Sequence, residues 1–167
     1  MLAVAVVIVN WNTRDLTINA LRSLYADLST SGLTADVYVV DNASTDGSAE
    51  SIRVLFPQVR LIVSAENRGF GGANNLAIQQ ILNAPDPPPA IYLLNSDTLT
   101  QAGATRALYD ALLAHERAGL VGAGLSYEDG SFQHSTFTFP GLRQLWVEFF
   151  PTPGRLIEGK FNGRYPK

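Results

Sequence analysis

Ile91-Tyr92-Leu93-Leu94-Asn95-Ser96-Asp97-Thr98 decides how this chain is read: four apolar residues in a row stop abruptly at a polar cluster that holds one carboxylate. Entered from the proline-rich stretch Pro85 to Pro89, the run predicts a strand buried on both faces. Asn95, Ser96 and Asp97 then fall at the strand's carboxyl end, where open α/β sheets bind ligands. A carboxylate beside an amide and a hydroxyl suits a hard divalent cation such as Mg²⁺ or Mn²⁺. The plainer role for Asp97 or Thr98 is to cap the next helix.

Working outward, the same pattern recurs upstream. Ala3 to Val9 is β-branched and apolar without a helical period, which predicts a central parallel strand ending at Asn10-Trp11-Asn12-Thr13. Val37-Tyr38-Val39-Val40 predicts a second buried strand, ending in Asp41-Asn42-Ala43-Ser44-Thr45-Asp46-Gly47-Ser48. Val59 to Val63 reads as a third strand, followed by Glu66-Asn67-Arg68-Gly69-Phe70-Gly71-Gly72. Helical spacing lies between them, from about Arg14 to Leu28, about Ser48 to Phe56, and through Leu76, Ile78, Ile81 and Leu82. Downstream, Thr100 is placed to cap a helix running to about Glu116, Leu120 to Leu125 reads as a fifth strand, and Asp129-Gly130 carries a hairpin signal. Strand and helix alternate throughout, which predicts an open, mostly parallel, Rossmann-like α/β sheet with helices on both faces.

Composition narrows the chemistry. The 167 residues are 46% hydrophobic and 16% charged, enough for a globular domain with a core. A net charge of -3 argues against a nucleic-acid partner held by phosphate contacts. With no cysteine, disulfides, thiolate catalysis and cysteine zinc sites are excluded, and two histidines are too few for a histidine metal cluster. Leu2 to Val9 is too short to span a bilayer and lacks the flanks of a signal peptide, so the expected location is cytoplasmic.

The glycine loop at Gly69 lacks the G-x-G-x-x-G spacing and an acid about 20 residues on, so it is not a dinucleotide fingerprint. No P-loop and no nucleophile elbow occurs. His134 beside Ser135 reads as a polar contact within a hairpin. Asp41, directly after a strand, suits a base N–H or a ribose hydroxyl. Arg68, among glycines, suits a phosphate as a charge-assisted donor. The plain alternatives are a turn carboxylate and a solvated arginine.

The segments around Asn10, Asp41, Asn67 and Asp97 occur in one order, and together they resemble the donor-binding part of inverting glycosyltransferases of GT-A fold, rhamnosyltransferase-like branch. The segment 122–139 is also similar to that branch. The resemblance covers residues 3–140, with 141–167 left as an apolar then basic tail. It implies that Val9, Asn10 and Asn12 flank a nucleotide, that Asp41 meets uracil or thymine, and that Asn67, Arg68, Gly69 and Ser96 lie along a UDP- or dTDP-linked sugar. Asn95 and Asp97 stand at the metal-binding D-x-D-type motif, with Mn²⁺ or Mg²⁺ as the implied cofactor. Asn95 replaces that motif's first acid, which predicts weaker metal binding.

The implied reaction is transfer of the sugar to a cell-surface glycan or lipid-linked acceptor with inversion, at the inner face of the cell membrane. The family's general base has no match after Asp97: Glu128-Asp129 sits in a turn, and Glu148 and Glu158 are isolated. Little or no transfer is therefore expected of this chain alone, as of a truncated enzyme. The alternative is a non-catalytic nucleotide-sugar-binding or interaction module of the same fold. A nucleotidyltransferase is disfavoured, because Asn10 to Arg14 offers neither a glycine-rich loop nor a downstream lysine. The apolar stretch 142–150 suits self-association or a partner chain, and with the basic tail it also suits a peripheral membrane contact.

Overall fold

A computed structural model describes residues 2–135 and 141–150. The Pro151 to Gly154 break, Glu158 and the basic residues Arg155, Lys160, Arg164 and Lys167 lie outside the described residues, as do residues 136–140 and the side chain of Glu148. The chain divides into two compact units, with the boundary after Ala114.

The first unit runs β1 (Val4–Asn10), α1 (Arg14–Ser31), β2 (Ala35–Asp41), α2 (Ser48–Leu55), β3 (Arg60–Val63), α3 (Gly69–Leu82), β4 (Ala90–Asn95) and α4 (Ala104–Ala114). Its four strands are all parallel, in the order β3-β2-β1-β4. The chain steps one way across the sheet from β1 to β3, then doubles back past β1 to form β4. Right-handed crossovers taken in opposite directions put their helices on opposite faces. The core shows that division. Val6, Ile8, Val37 and Val39 pack with Ile18, Leu21 and Leu24 of α1 and Ile52 of α2 on one face. Ala5, Val7, Tyr38 and Val40 pack with Ala73, Ala77 and Ile81 of α3 on the other. The α/β architecture thus follows the strand and helix alternation of the sequence.

Three local expectations are corrected. The run at Ile91 to Leu94 is not buried on both faces: Leu94 is buried, but Leu93 is 47% exposed. β4 lies at the sheet edge, and α3 sits over β1 and β2, short of Leu93. α1 continues to Ser31, past its expected end at Leu28. The hydroxyls of Ser29, Thr30 and Ser31 donate to carbonyls three residues back, and Gly32 closes the helix at φ +68°. Lastly, α4 is capped by Asp27 of α1 and not by Thr100. The Asp27 carboxylate, buried in α1, accepts the N–H groups of Gly103 (2.5 Å) and Thr105 (3.0 Å).

The second unit holds β5 (Leu125–Ser126), β6 (Phe132–Gln133) and α5 (Leu142–Phe149). β5 and β6 pair antiparallel around the expected Asp-Gly turn, with Gly130 at φ +79°. The fifth strand expected over Leu120 to Leu125 forms only from Leu125, and Leu120 is 92% exposed. Gly122 and Gly124 weaken the run, because glycine offers a strand no side chain to pack. No described helix is long and apolar enough to cross a membrane.

Candidate donor-binding site

All four strands of the first unit point their carboxyl ends to one edge, so the four polar loops line up there in the order of the strands. Asn10 faces Asp41 in the β1–β2 register, and Val9 faces Asn95 in the β1–β4 register. The strand order reverses between β1 and β4, which is where open α/β sheets form their binding crevice.

Hydrogen bonds stitch the loops together. Asn10 is fully buried, and its amide nitrogen donates to Asp41 Oδ1 (2.7 Å) and to Ser44 Oγ (2.9 Å). Its oxygen accepts the hydroxyls of Thr13 and Thr17, each at 2.8 Å. Thr13 also meets Ser96 at 3.2 Å, joining the β1 and β4 loops. Asn12, at φ +53°, donates its N–H to Ser44 Oγ (3.0 Å) and accepts the Thr45 N–H (2.8 Å). Asn42 ties the β2 loop to the β3 loop: it donates to Asn67 Oδ1 (2.8 Å) and accepts the Arg68 N–H (2.9 Å). Ala43 sits at φ +64°, a strained setting for a residue with a Cβ.

These contacts define what each site residue has left to offer. Asn10 has all of its side-chain groups engaged, so it braces the site. Asp41 is 1% exposed and accepts Asn10 and the Ser44 N–H (3.1 Å), leaving one lone pair on each oxygen. Val9 is half-buried at the end of β1, and Asn12, Asn67 and Gly69 line the exposed rim. Arg68 is exposed and pairs with Glu66 at 3.1 Å. An exposed pair of that kind is worth under about 1 kcal/mol, so the guanidinium is available to another anion. Asp97 is exposed and has no hydrogen-bond or ion-pair partner among the described residues, and the Asn95 side chain is likewise uncommitted.

Strand spacing sets the distance between the two ends. Arg68 follows β3 and Asp97 follows β4, strands whose axes lie three intervals, or about 14 Å, apart. Arg68 therefore shares its end of the edge with Asp41.

The donor set fits a hard cation. One free carboxylate with amide and hydroxyl oxygens is what Mg²⁺ or Mn²⁺ uses when phosphate oxygens and water complete the shell. No group of three acidic, histidine or cysteine side chains able to hold a metal occurs among the described residues. An open cleft of about 410 Å³ lies beside the β1 loop, lined by Asn12, Thr13, Arg14, Asp15, Leu16 and Asp46. It includes neither Asp41 nor Asp97. In that cleft, burial pushes the Asp46 carboxyl up, but hydrogen bonds from Ser48 and from the Arg14 N–H outweigh it and hold the group below its ordinary range.

In the second unit, Asp129 is poorly suited to serve as a general base. The Ser131 hydroxyl and N–H hold the Asp129 carboxyl below its ordinary range, the opposite of what a base needs. His134 meets Phe132 edge-on at 5.0 Å, and Ser135 donates to the Ala123 carbonyl (3.0 Å), so the two do not pair.

Sequence reading did not single out Thr13, Thr17, Asn42 and Ser44 as site residues. They stand in or beside the polar loops it marked, but which amide faces which hydroxyl is set by strand register.

Comparison with known proteins agrees with this architecture. The chain is 32% identical over 112 residues to an N-acetylglucosaminyl-diphospho-decaprenol L-rhamnosyltransferase of Mycobacterium tuberculosis, covering 64% of this chain and 36% of that protein. It is 37% identical over 76 residues to the succinoglycan biosynthesis protein ExoO of Rhizobium meliloti, covering 45% and 21%. The chain thus spans about a third of the length of the first of these relatives. Among solved structures, S. aureus TarS 1-349 superposes with a TM-score of 0.55 at 20% identity, over 68% of this chain and 33% of that one, a likeness of fold. The mannosyltransferase PcManGT of Pyrobaculum calidifontis, in complex with GDP-Man and Mn²⁺, superposes with a TM-score of 0.54 at 26% identity, over 70% and 33%. The sequence profile of glycosyl transferase family 2 matches residues 5–163, and this GT-A-fold chain belongs to that family.

Proposed function

We propose that the chain binds the donor in transfer of a sugar from a UDP- or dTDP-linked sugar to a cell-surface glycan or lipid-linked acceptor, with inversion at the anomeric carbon. The observation that carries this reading is the row of four braced loops, with an uncommitted carboxylate, Asp97, at the strand-order reversal. The rhamnosyltransferase relative and the PcManGT complex with GDP-Man and Mn²⁺ support it.

In this reading the base lies toward Asp41 and Arg68, and the diphosphate toward Asp97. Asp41 offers its remaining lone pairs to a base N–H. Asp97, with Asn95, would hold Mn²⁺ or Mg²⁺, which supplies positive charge to the departing diphosphate. Thr13 and Ser96 keep the two loops that flank the diphosphate in register. The lone acid at this motif also suits a binding module that transfers nothing.

Calorimetric titration of the 167-residue chain with UDP and dTDP, with and without Mn²⁺, tests the proposal. Metal-dependent binding of one of them is expected. Asp97→Ala should remove the metal-dependent part of the affinity and leave the metal-free part unchanged. Unchanged affinity with Mn²⁺ in that variant would refute the metal assignment. Clear turnover by the chain alone would refute its expected inactivity.

A further inference from the structure

We infer that Asn42 is a positioning residue for the nucleoside end of the donor: it holds the loop that presents Arg68. The inference rests on the proposed donor site. Asn42 is buried directly after Asp41, and both ends of its amide are directed at the next loop. Its oxygen fixes the Arg68 N–H at 2.9 Å, and its nitrogen fixes Asn67 Oδ1 at 2.8 Å. That same Asn67 oxygen accepts the Gly69 N–H at 2.9 Å, so one buried amide organises three consecutive residues.

Two glycines show how closely the Arg68 stem is set. Gly69 turns the chain into α3 at φ +67°, where a Cβ brings strain. At Gly72 a Cβ would lie 3.0 Å from the Arg68 Cβ, so a larger residue there displaces the arginine. Arg68 is thus held from below by Asn42 and bounded from the first turn of α3 by Gly72. As the N-cap of α3, Arg68 has no intrahelical acceptor for its N–H, and Asn42 supplies one. The guanidinium stays exposed, with only Glu66 as its ionic partner among the described residues. A fixed backbone carrying a free head is what a ligand-facing arginine requires.

The spacing along the edge says what Asn42 governs. It acts on the loop after β3, at the other end of the sheet from β4 and Asp97, so in the proposed site its effect falls on the nucleoside end. Its neighbour Asp41 faces β1 through Asn10, while Asn42 faces β3. The two adjacent residues thereby set the two sides of one base position.

The test is titration of the 167-residue chain with UDP and dTDP, each with and without Mn²⁺, and separately with Mn²⁺-pyrophosphate. The variants are Asn42→Ala, Asn42→Asp, Arg68→Ala and the Asn42→Ala/Arg68→Ala pair. Asn42→Ala should weaken the preferred nucleotide about tenfold, with and without metal, and change Mn²⁺-pyrophosphate binding less than about twofold. The double variant should bind no more weakly than Arg68→Ala, because Asn42 acts through Arg68. Asn42→Asp keeps an acceptor for the Arg68 N–H but sets oxygen against oxygen at Asn67, so it should restore the slow exchange of the Arg68 amide while recovering only part of the affinity.

Hydrogen exchange supplies a readout free of nucleotide: the Arg68 and Gly69 amides should exchange at least about tenfold faster in Asn42→Ala. Equal weakening of nucleotide and pyrophosphate, additive losses in the double variant, or unchanged exchange at Arg68 would each overturn the inference. Should the unaltered chain bind no nucleotide, the proposed function fails, and the exchange result by itself decides whether Asn42 holds the loop.

Discussion

Replacing Asn10 with alanine is the sharpest test of how this site is built. The amide makes four hydrogen bonds, to Asp41, Ser44, Thr13 and Thr17. Their losses are unequal. Asp41 is a buried carboxylate whose 2.7 Å bond to Asn10 is charge-assisted, so losing it costs about 2 kcal/mol. Thr17 is fully buried, and its hydroxyl keeps only a 3.4 Å contact with Thr13, so its loss adds about 1 kcal/mol. Ser44 and Thr13 are half-buried and rebond to water at little cost. The sum is about 3 kcal/mol, a large share of the roughly 5–15 kcal/mol that holds a typical domain together. With a urea slope near 1.5 kcal/mol/M, the unfolding midpoint should fall by about 2 M. Urea denaturation followed by tryptophan fluorescence and by circular dichroism measures it. A fall below about 0.5 M would refute the reasoning, because it would mean that water replaces the amide at no cost. Thr17→Val serves as the control: it removes one of the four bonds and should cost only about 1 kcal/mol.

Two further outcomes follow from other hydrogen-bonded carboxylates. Asp27→Ala strips the α4 N-terminus of its acceptor for Gly103 and Thr105 and should destabilise the first unit by about 2–3 kcal/mol, with Asp27→Asn recovering part; thermal melts and exchange at the Thr105 amide check it. Asp46 has a carboxyl held below its ordinary range, against the opposing effect of burial, so the folded state binds that proton less readily than the unfolded chain. Its contribution is therefore complete above about pH 4 and is lost as pH falls through the lower folded value. Asp46→Asn should be less stable than the parent at pH 6, with the difference shrinking as pH falls below about 4, as read by urea midpoints; a difference that stays constant as the pH is lowered would sink the assignment.

The fold was legible because its signals are local. Apolar β-branched runs ending in polar clusters, separated by helical spacing, can form little other than parallel strands with crossovers. The misreadings share one cause, which is that neighbours were hidden. Ile91 to Leu94 carries the composition of a buried strand, yet β4 takes the sheet edge and Leu93 stays open. Ser29 to Ser31 looks like loop, but the hydroxyls return to the helix's own carbonyls. Thr100 has the chemistry of a cap, and a carboxylate from α1 takes its place.

By itself, the sequence determined the α/β class and the four polar strand ends, because periodicity and the clustering of small polar residues act over a few positions. It also placed Asp41, Arg68 and Asp97 at those ends. Only the tertiary structure decided which loops adjoin. The order β3-β2-β1-β4 puts Arg68 and Asp97 at opposite ends of the edge and makes Asn10 and Asn42 its braces. Strand order depends on contacts between residues about 25 to 85 positions apart, such as Asn42 with Asn67 and Thr13 with Ser96, and no local pattern encodes them.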